Sequence, residues 1–255
     1  LTSTGNGTCN PVTDNIIISF TSAPLANAGA DQSICGNNPA VTLAGSVLGA
    51  TGGIWSGGSG SFNPSNTALN AVYTPTGPEI SSGNLTLTVT TTGMGNCNSV
   101  SDQINITFTL PPTANAGSNQ TICGNNAAVT LAGGVTIASG GQWSGGLGNF
   151  TPNNTTLNAT YAPTLPEIAS GSLTLVLTTT GNGNCSAVTS NMTTTFTSPP
   201  TVDAGTNQTV CADNPGVTLN GTFSIATGIV WSRGSGTYNP NNTTFNAIYT
   251  PSAAE

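Results

Sequence analysis

An internal repeat with a period of 88 residues runs through the whole chain without an insertion or a deletion. Two cysteine sets and one tryptophan set recur at this spacing: Cys9, Cys97, Cys185; Cys35, Cys123, Cys211; Trp55, Trp143, Trp231. A unit of this length is larger than a solenoid repeat and has the size of a small independent domain. The repeat therefore predicts a row of similar modules, each with its own core.

The phase of the repeat predicts the domain boundaries. Residues 1–22 correspond to the C-terminal strands of a preceding repeat, 23–110 to repeat 1, 111–198 to repeat 2, and 199–255 to an incomplete repeat 3. Proline pairs stand at the joints, Pro111-Pro112 and Pro199-Pro200, and two prolines make a short, stiff link. We therefore expect the modules to form a linear rod.

The two ends of the sequence fall inside repeats, which predicts that the sequence is a segment of a longer chain. The alternative is a subunit whose residues 1–22 complete the last repeat of a neighbour by strand addition. The sequence is nine residues short of three full periods, and these nine fall inside a buried strand. That gap argues against the alternative.

Within a repeat, apolar residues alternate with polar ones, as in the segment 85–90, where Leu and Val alternate with Thr. A period of two is typical of strands, and threonine suits their solvent face. Seven strands are predicted in repeat 1: A (25–34), B (40–47), C (52–57), C′ (60–63), E (68–75), F (84–92) and G (102–110). One helical turn is predicted over 78–83, between E and F. Seven strands with a Trp on the third predict an all-β fold of tandem immunoglobulin-like sandwiches.

Aromatic residues recur at two positions of each repeat. The alternation places Tyr73, Tyr161 and Tyr249 on the inward face, and the place on strand C predicts core positions for Trp55, Trp143 and Trp231 as well. The alternative for the tryptophans is a platform on which sugars stack. A strand-C Trp in such a sandwich is usually buried, so the core interpretation is favoured.

The near-absence of charge excludes several functions. Charged residues make up 4% of the chain, Arg233 is the only base, and there is no histidine. A net charge of −7 cannot neutralise a nucleic-acid backbone. No apolar run approaches the ~20 residues of a spanning helix. The chain is therefore expected to bind no nucleic acid and not to span a membrane.

The six cysteines predict disulfides and thus an extracytoplasmic location. Three pairing classes are compatible with the repeat: within a repeat (Cys35–Cys97 and Cys123–Cys185), between neighbours in sequence (Cys9–Cys35, Cys97–Cys123 and Cys185–Cys211), or between repeats (Cys35–Cys185). The first two would need cysteines at opposite ends of a module to meet, about 25 Å apart. A head-to-tail rod brings the ends of successive modules together, which favours Cys35–Cys185. The within-repeat pairing remains open if strand A runs differently.

Acidic residues offer neither a catalytic pair nor a clear metal site. Glu79, Glu167 and Glu255 recur in every copy, but Asp31 is replaced by Asn and Asp102 by Ser. A catalytic pair would not be exchanged so freely, so no catalytic residue and no enzymatic activity are predicted. Glu79 is expected to cap the turn before strand F. Calcium prefers clustered carboxylates, and each repeat has only scattered acids, so no cofactor is predicted, with calcium as the alternative.

Several motifs resemble one family. The segments Asn27-Ala28-Gly29-Ala30-Asp31-Gln32-Ser33-Ile34-Cys35-Gly36, Trp55-Ser56-Gly57, Tyr73-Thr74-Pro75 and Gly95-Asn96-Cys97 are similar to the Ig-like and PKD-like repeats of giant Bacteroidota surface adhesins, the SprB-like gliding proteins among them. The resemblance covers the whole chain. It implies export by type IX secretion and display on the cell surface as fibres for attachment or gliding.

Three functional hypotheses follow. The first is a structural stalk segment of an extracellular surface filament that holds an adhesive tip. The second is a binding module whose exposed Thr and Asn rows bind surface polysaccharide or neighbouring filaments. The third is a subunit of a polymerising, pilus-like fibre. In each case the expected partners are repeats of the same chain or filament.

Overall fold

The computed structural model describes all 255 residues, which divide into two compact units. The first unit contains Leu1–Pro112 together with the short segment Asn182–Ser186. The second contains Thr113–Gly181 and Ala187–Glu255. A unit boundary thus falls directly after the first proline pair.

Repeat 1 contains nine strands and one short helix. In chain order they are β1 (Leu25–Asn27), β2 (Gln32–Cys35), β3 (Val41–Thr42), β4 (Ser46–Leu48), β5 (Gly52–Ser56), β6 (Ser61–Asn63), β7 (Val72–Thr74), α1 (Gly77–Ser82), β8 (Asn84–Thr92) and β9 (Ser101–Thr109). One sheet has the order β2-β9-β8-β5, with β2 parallel to β9. The other has the order β3-β7-β6, and β1 pairs with β4. Lettered by position, these are sheets A′GFC and BED with an A–B pair, the immunoglobulin-like arrangement.

Repeat 2 has the same elements in the same order. They are β10 (Thr113–Asn115), β11 (Gln120–Cys123), β12 (Val129–Thr130), β13 (Gly134–Thr136), β14 (Gly140–Ser144), β15 (Asn149–Thr151), β16 (Thr160–Ala162), α2 (Leu165–Ala169), β17 (Ser172–Thr180) and β18 (Thr189–Thr197). Its sheets have the orders β11-β18-β17-β14 and β12-β16-β15, with β10 paired to β13. The all-β fold of tandem sandwiches predicted from the alternation is confirmed.

The alternation of residues builds the core of each repeat. Along β8, Leu85, Leu87 and Val89 are buried, whereas the threonines between them face outwards. Trp55 and Tyr73 are fully buried in the first core, and Trp143 and Tyr161 occupy the same places in the second. Fully burying an aliphatic side chain such as Leu85 or Val89 contributes roughly 1.5–3 kcal/mol to the free energy of folding. The sum of these contributions drives the folding of each module.

Three strand predictions need correction. The strand predicted as C′ is β6, and it pairs with β7 in the BED sheet, so that it is strand D. Strand A is broken into β1 and β2, which pair with different sheets. Gly29 lies in this break with a φ of +87°, a conformation that glycine adopts without steric cost. Strand B is likewise interrupted between β3 and β4.

Repeat 3 has five strands: β19 (Thr201–Asp203), β20 (Val217–Thr218), β21 (Thr222–Ser224), β22 (Thr237–Asn239) and β23 (Ile248–Thr250). They form the pair β19-β21 and the sheet β20-β23-β22. Residues 208–211 and 228–232, the counterparts of β2 and β5, form no strand. In repeat 1 those two strands pair with β9 and β8, for which residues 199–255 contain no counterpart. Trp231 and Tyr249 are therefore only half-buried, which corrects the core prediction for these two residues.

Residues 1–22, predicted to be C-terminal strands of a preceding repeat, form no strand in the structure. They contain one isolated bridge, between Thr2 and Thr13. The physical reason is that an isolated hairpin has no sheet to cover its apolar face and is at best marginally stable.

Thr194 introduces an unpaired hydroxyl into the core of repeat 2. It is fully buried at the position held by Ile106 in repeat 1, and its Oγ1 has no hydrogen-bond partner. Thr194→Val removes the hydroxyl at equal volume, so we expect repeat 2 to gain about 1–2 kcal/mol of unfolding free energy. Thermal unfolding followed by circular dichroism measures this gain. Thr195→Val, at the exposed neighbouring position, is the control and should leave the melting temperature unchanged.

Candidate functional site: a disulfide-bridged loop and a tyrosine–glutamate pair

A disulfide joins Cys35 to Cys185 across 150 positions of sequence. The two Cα atoms are 5.0 Å apart. Cys35 is the last residue of β2, and its partner in the parallel ladder is Thr109, the last residue of β9. The bridge therefore lies at the end of the module from which the chain leaves repeat 1, as the preferred pairing requires.

Hydrogen bonds hold the loop that carries Cys185 within the first unit. Asn37 binds Ser186 twice: its Nδ2 donates to the Ser186 carbonyl at 2.9 Å, and its Oδ1 accepts from the Ser186 amide at 3.1 Å. The amide group of Asn184 donates to the carbonyl of Ser33 at 3.5 Å. The covalent bond is thus reinforced by neutral contacts, which depend little on salt or pH.

Neither of the within-repeat pairs forms. Cys97 lies in the turn between β8 and β9, at the far end of a nine-residue strand from Cys35. Nine residues span roughly 25–30 Å, well beyond the reach of a disulfide. Cys35–Cys97 and Cys123–Cys185 are therefore wrong, as are the pairings of sequence neighbours. The cysteines outside the bridge are free thiols: Cys9, Cys97, Cys123 and Cys211.

A tyrosine–glutamate pair recurs in all three repeats. In repeat 1 the Glu79 carboxylate accepts hydrogen bonds from the Tyr73 hydroxyl at 2.8 Å and from the Ser59 amide at 2.6 Å. Its other oxygen accepts from the amide and the hydroxyl of Thr76, at 2.7 and 2.9 Å. The Tyr73 hydroxyl in turn accepts from the Gly60 amide at 2.7 Å. Glu79 thereby closes a capping box at the start of α1 and anchors the helix to the BED sheet.

The sequence positions each part of this pair. Thr76 is the N-cap of α1 with an extended backbone, and Pro78 stands in the first turn, where its missing amide hydrogen costs nothing. Gly58 has a φ of +71°, and a Cβ atom there would collide with the Tyr73 hydroxyl. The close approach of backbone and tyrosine thus requires glycine at this position.

The hydrogen bonds lower the pKa of the glutamate. Burial alone would raise the pKa of Glu79, but the amides of Thr76 and Ser59 and the Tyr73 hydroxyl outweigh burial and lower it to about 2. The pKa of Glu167 in repeat 2 is also lowered, against burial, by the amides of Thr164 and Leu147. Both groups are ionised at neutral pH.

The tyrosine of each pair is held in its neutral form. Burial, and then the hydrogen bond to Glu79, raise the pKa of Tyr73 to about 12, and the same causes raise that of Tyr161 to about 12. A hydroxyl group with a pKa of about 12 is a poor general acid near neutral pH. The tyrosine–glutamate pair fixes the helix to the sheet, and this role is structural.

The remaining acids serve as backbone acceptors. Asp102 accepts the Ala28 amide at 2.8 Å, and Asp31 accepts the Asn105 amide at 2.8 Å. No group of three or more His, Cys, Asp or Glu side chains comes close enough to hold a metal ion. No helix has the length and apolar content that crossing a membrane requires. Of the predicted linker prolines, Pro112 is buried and Pro111 half-buried, whereas Pro199 and Pro200 are exposed.

Sequence reasoning found Glu79 as a cap but missed its tyrosine partner. The signal was present in the spacing, since a Tyr precedes the Glu by six residues in each copy: Tyr73 and Glu79, Tyr161 and Glu167, Tyr249 and Glu255. Asn37 was also missed. Its role depends on a loop that lies 149 positions away in sequence.

Comparisons with known proteins give structural neighbours only. No protein-family model matches the chain, and no curated protein matches it. Three Ig domains of titin, in an E-to-A mutated variant, align with 90% of this chain and 87% of theirs, with 9% identity and a TM-score of 0.40. The EC22–24 fragment of mouse cadherin-23 aligns with 90% of this chain and 88% of its own, with 13% identity and a TM-score of 0.37. Protocadherin gamma B2 extracellular cadherin domains 3–6 align with 91% of this chain and 68% of their own, with 12% identity and a TM-score of 0.33. The immunoglobulin-like assignment therefore rests on the strand order and register of each repeat.

Proposed function

We propose that the chain is a structural stalk segment of an extracellular surface filament, and that it bears load while it displays an adhesive tip for attachment or gliding. The observation that carries this proposal is the Cys35–Cys185 bridge, which closes a loop of 150 positions that contains most of two module cores. Force applied to the two ends of the chain passes through the sulfur atoms and bypasses residues 36–184. A spacer that has to transmit force without lengthening benefits from such a bypass.

The bridge and the composition support the same role in different ways. In the chain-entropy model, closing a loop of this length stabilises the folded state by up to about 5 kcal/mol. The disulfide also favours an oxidising, extracytoplasmic location. With 4% charged residues, the surface has few charge pairs for salt to screen. The resemblance to giant Bacteroidota adhesins extends the proposal to a filament exported by type IX secretion.

We propose a non-catalytic role because the recurrent ionisable pair is committed to structure. Glu79 and Tyr73 bind each other and the surrounding backbone, and the pKa of Tyr73 is about 12. The stalk therefore acts through shape and strength, with other repeats of the same chain or filament as its partners.

A second candidate function is glycan binding by the outward face of the A′GFC sheet. Thr86 and Asn105 face each other across β8 and β9 and share a hydrogen bond of 2.8 Å. On the equivalent strands of repeat 2, Thr174 lies opposite Thr193. Rows of uncharged hydroxyl and amide groups of this kind can bind neutral polysaccharide.

Binding to polysaccharide separates the two functions. A stalk predicts that the purified 255-residue chain does not bind immobilised neutral polysaccharides, as measured by pull-down and calorimetry. Retention of the chain that is lost in a Thr174→Val/Thr193→Val variant would instead assign glycan binding to this sheet face. Thr130→Val/Thr160→Val, a facing pair of exposed threonines on the BED sheet of repeat 2, is the matched control for that variant.

Calcium independence is a further expectation of the stalk proposal. Because Asp31 and Asp102 already accept backbone amides, chelation should shift the melting temperature by less than about 1 °C. Differential scanning calorimetry with EDTA and with added CaCl₂ checks this. A large stabilisation by calcium, not reproduced by magnesium, would contradict it.

A further inference from the structure

The turn after β2, which binds the loop that carries Cys185, recurs after β11 in repeat 2. The two turns have the same four residues: Cys35-Gly36-Asn37-Asn38 and Cys123-Gly124-Asn125-Asn126. In the first turn Cys35 is bonded to Cys185, and both polar atoms of the Asn37 side chain bind the main chain of Ser186. In the second turn Cys123 is a free thiol. One turn thus holds a ligand, and the other has the same side chains without one.

The two turns have the same backbone geometry. In each turn the amide of the second asparagine donates to the carbonyl of the cysteine at 3.0 Å. The amide of the glycine donates to the last residue of the neighbouring parallel strand at 2.9 Å, which is Thr109 in repeat 1 and Thr197 in repeat 2. The turn of repeat 2 therefore already has the shape that binds a loop in repeat 1.

The turns differ in what covers them. Cys35 is 1% exposed, whereas Cys123 is half-buried. The side chain of Asn125 is exposed, and its amide group makes no hydrogen bond within the chain. A thiol, a hydrogen-bond donor and a hydrogen-bond acceptor are thus free at the place where repeat 1 uses all three.

We propose that the turn 123–126 is a binding site for the F–G loop of a further module of this repeat type, and that Cys123 forms a disulfide with the cysteine of that loop. The ligand is a hairpin loop with the sequence Gly-Asn-Cys, which this chain has at 95–97 and 183–185. Asn125 donates to the carbonyl of the residue after the loop cysteine and accepts from its amide. This inference goes beyond the proposed function, because the site binds a loop whether or not the chain bears load.

The hydrogen bonds define what the site recognises. Asn37 binds only main-chain groups of Ser186, and Asn98 presents the same groups after Cys97 in the loop of repeat 1. The residue after the loop cysteine is therefore free to vary. The asparagine of the turn is not, because Asp213 takes its place in repeat 3, and a carboxylate has no hydrogen to donate to the loop carbonyl.

The covalent step is a thiol–disulfide exchange, with a low-molecular-weight disulfide as the co-reactant. Oxidised glutathione first converts the loop thiol into a mixed disulfide and releases one reduced glutathione. The Cys123 thiolate then attacks the sulfur of the loop cysteine, so that the new S–S bond forms as the mixed disulfide breaks. The second glutathione leaves as a thiol and takes up the proton that Cys123 lost.

A cyclic peptide of residues 178–189 presents the loop without the rest of its module. Thr178 lies opposite Thr189 in β17 and β18, so a D-Pro-Gly turn between the two ends keeps the hairpin closed. The peptide contains a single cysteine, Cys185. As its glutathione mixed disulfide, it is equilibrated with the purified 255-residue chain in a buffer of oxidised glutathione. Mass-spectrometric peptide mapping then measures how much of each free thiol carries the cyclic peptide.

Cys123 should carry at least about tenfold more cyclic peptide than any other free thiol, because two hydrogen bonds favour the peptide only there. Cys9 and Cys211 are more exposed than Cys123, so accessibility alone predicts the opposite order. A peptide with Ser186→Ala should give the same preference, because the site binds only the main chain of that residue.

The two asparagines of the turn provide a matched pair of variants. Asn125→Ala removes both hydrogen bonds and should lower the amount of peptide on Cys123 about tenfold. Asn126→Ala, at the exposed neighbouring position, should change it less than about twofold. Both variants should form the mixed disulfide with glutathione alone as the wild type does, which shows that the turn and its thiol are intact.

Three results would overturn the proposal. The first is an even distribution of the cyclic peptide over the four free thiols. The second is equal labelling of Cys211 and Cys123, which would show that the asparagine of the turn is not needed. The third is a loss with Asn126→Ala equal to that with Asn125→Ala.

Discussion

Pulling the oxidised chain from its two ends is expected to extend it by roughly 500 Å less than pulling the reduced chain, since a residue contributes about 3.3–3.6 Å when fully extended. The Cys35–Cys185 bridge spans 150 positions, and force crosses the bridge without loading the chain between them. Most of both cores, Trp55 and Trp143 included, lies inside this protected loop, whereas Ala28 and Met192 lie outside it. Single-molecule force spectroscopy measures the difference directly as contour length.

Cysteine variants separate the bridge from other effects of reduction. Cys35→Ser should give the long extension even under oxidising conditions, and Cys185→Ser should behave in the same way. Cys211→Ser removes a free, exposed thiol and should retain the short extension. Equal contour lengths for the oxidised protein and for Cys35→Ser would show that the bridge carries no load and would remove the main support for a stalk.

Replacing Glu79 should cost repeat 1 about 2–3 kcal/mol, because hydrogen bonds to charged groups contribute roughly 1.5–3 kcal/mol and the abandoned partners are partly buried. In Glu79→Gln, the side-chain NH₂ group cannot accept the hydrogen bonds that one carboxylate oxygen receives. For a domain of this size we expect the melting temperature of repeat 1 to fall by roughly 10–15 °C. Hydrogen exchange of the β8 and β9 amides locates the loss within the chain.

The lowered pKa of the Glu79 carboxylate predicts that the stability of repeat 1 depends on pH. Its pKa is about 2 in the folded state and near 4.5 in the unfolded state, so the unfolded chain binds the proton more tightly. The stabilisation is fully present above about pH 4.5 and is lost as the pH falls through about 2. In acid titrations the wild-type protein should lose stability over this window, and Glu79→Gln should lose less.

Two further variants, one at an exposed acid and one at the tyrosine of the pair, complete this test of Glu79. Asp213→Asn changes an exposed carboxylate and should leave the melting temperature unchanged. Tyr73→Phe removes one donor to Glu79 and the acceptor of the Gly60 amide, so it should destabilise repeat 1 in the same direction. If Glu79→Gln and Asp213→Asn melt alike, the glutamate does not anchor the helix.

Much of the fold was accessible from the alternation of residues. Because successive side chains of a strand point to opposite faces, the pattern of residues 85–90 was enough to predict a buried face and a threonine face. The position of Tyr73 in the core followed from the same rule, and that of Trp55 from its place on the third strand of the sandwich. The rule overestimated burial for Trp231 and Tyr249, since it reports which face a residue is on and not whether another strand covers that face.

Only part of the candidate site could be predicted from the sequence. A repeated glutamate after a proline indicated a helix cap, and the bonds of Glu79 to Thr76 match that expectation. The tyrosine donor was not foreseen, because β7 and α1 meet through a bend of the chain that periodicity does not describe. Residue type also failed to predict backbone conformation at one turn. Gly49 has a φ of +68°, and Ile137 has a φ of +66° at the equivalent position of repeat 2. Isoleucine disfavours this left-handed region, so its conformation there could not be predicted from the sequence.

By itself, the sequence determined the length of the module, its all-strand character, the face that each strand buries and the two classes of cysteine. Only the tertiary structure decided that residues 61–63 join the BED sheet, that strand A divides between two sheets, and that Cys35 meets Cys185. The physical reason is that side-chain alternation is a local property that survives any choice of neighbour. Strand pairing and disulfide pairing depend on which distant segments approach, and that is set by the packing of the whole module.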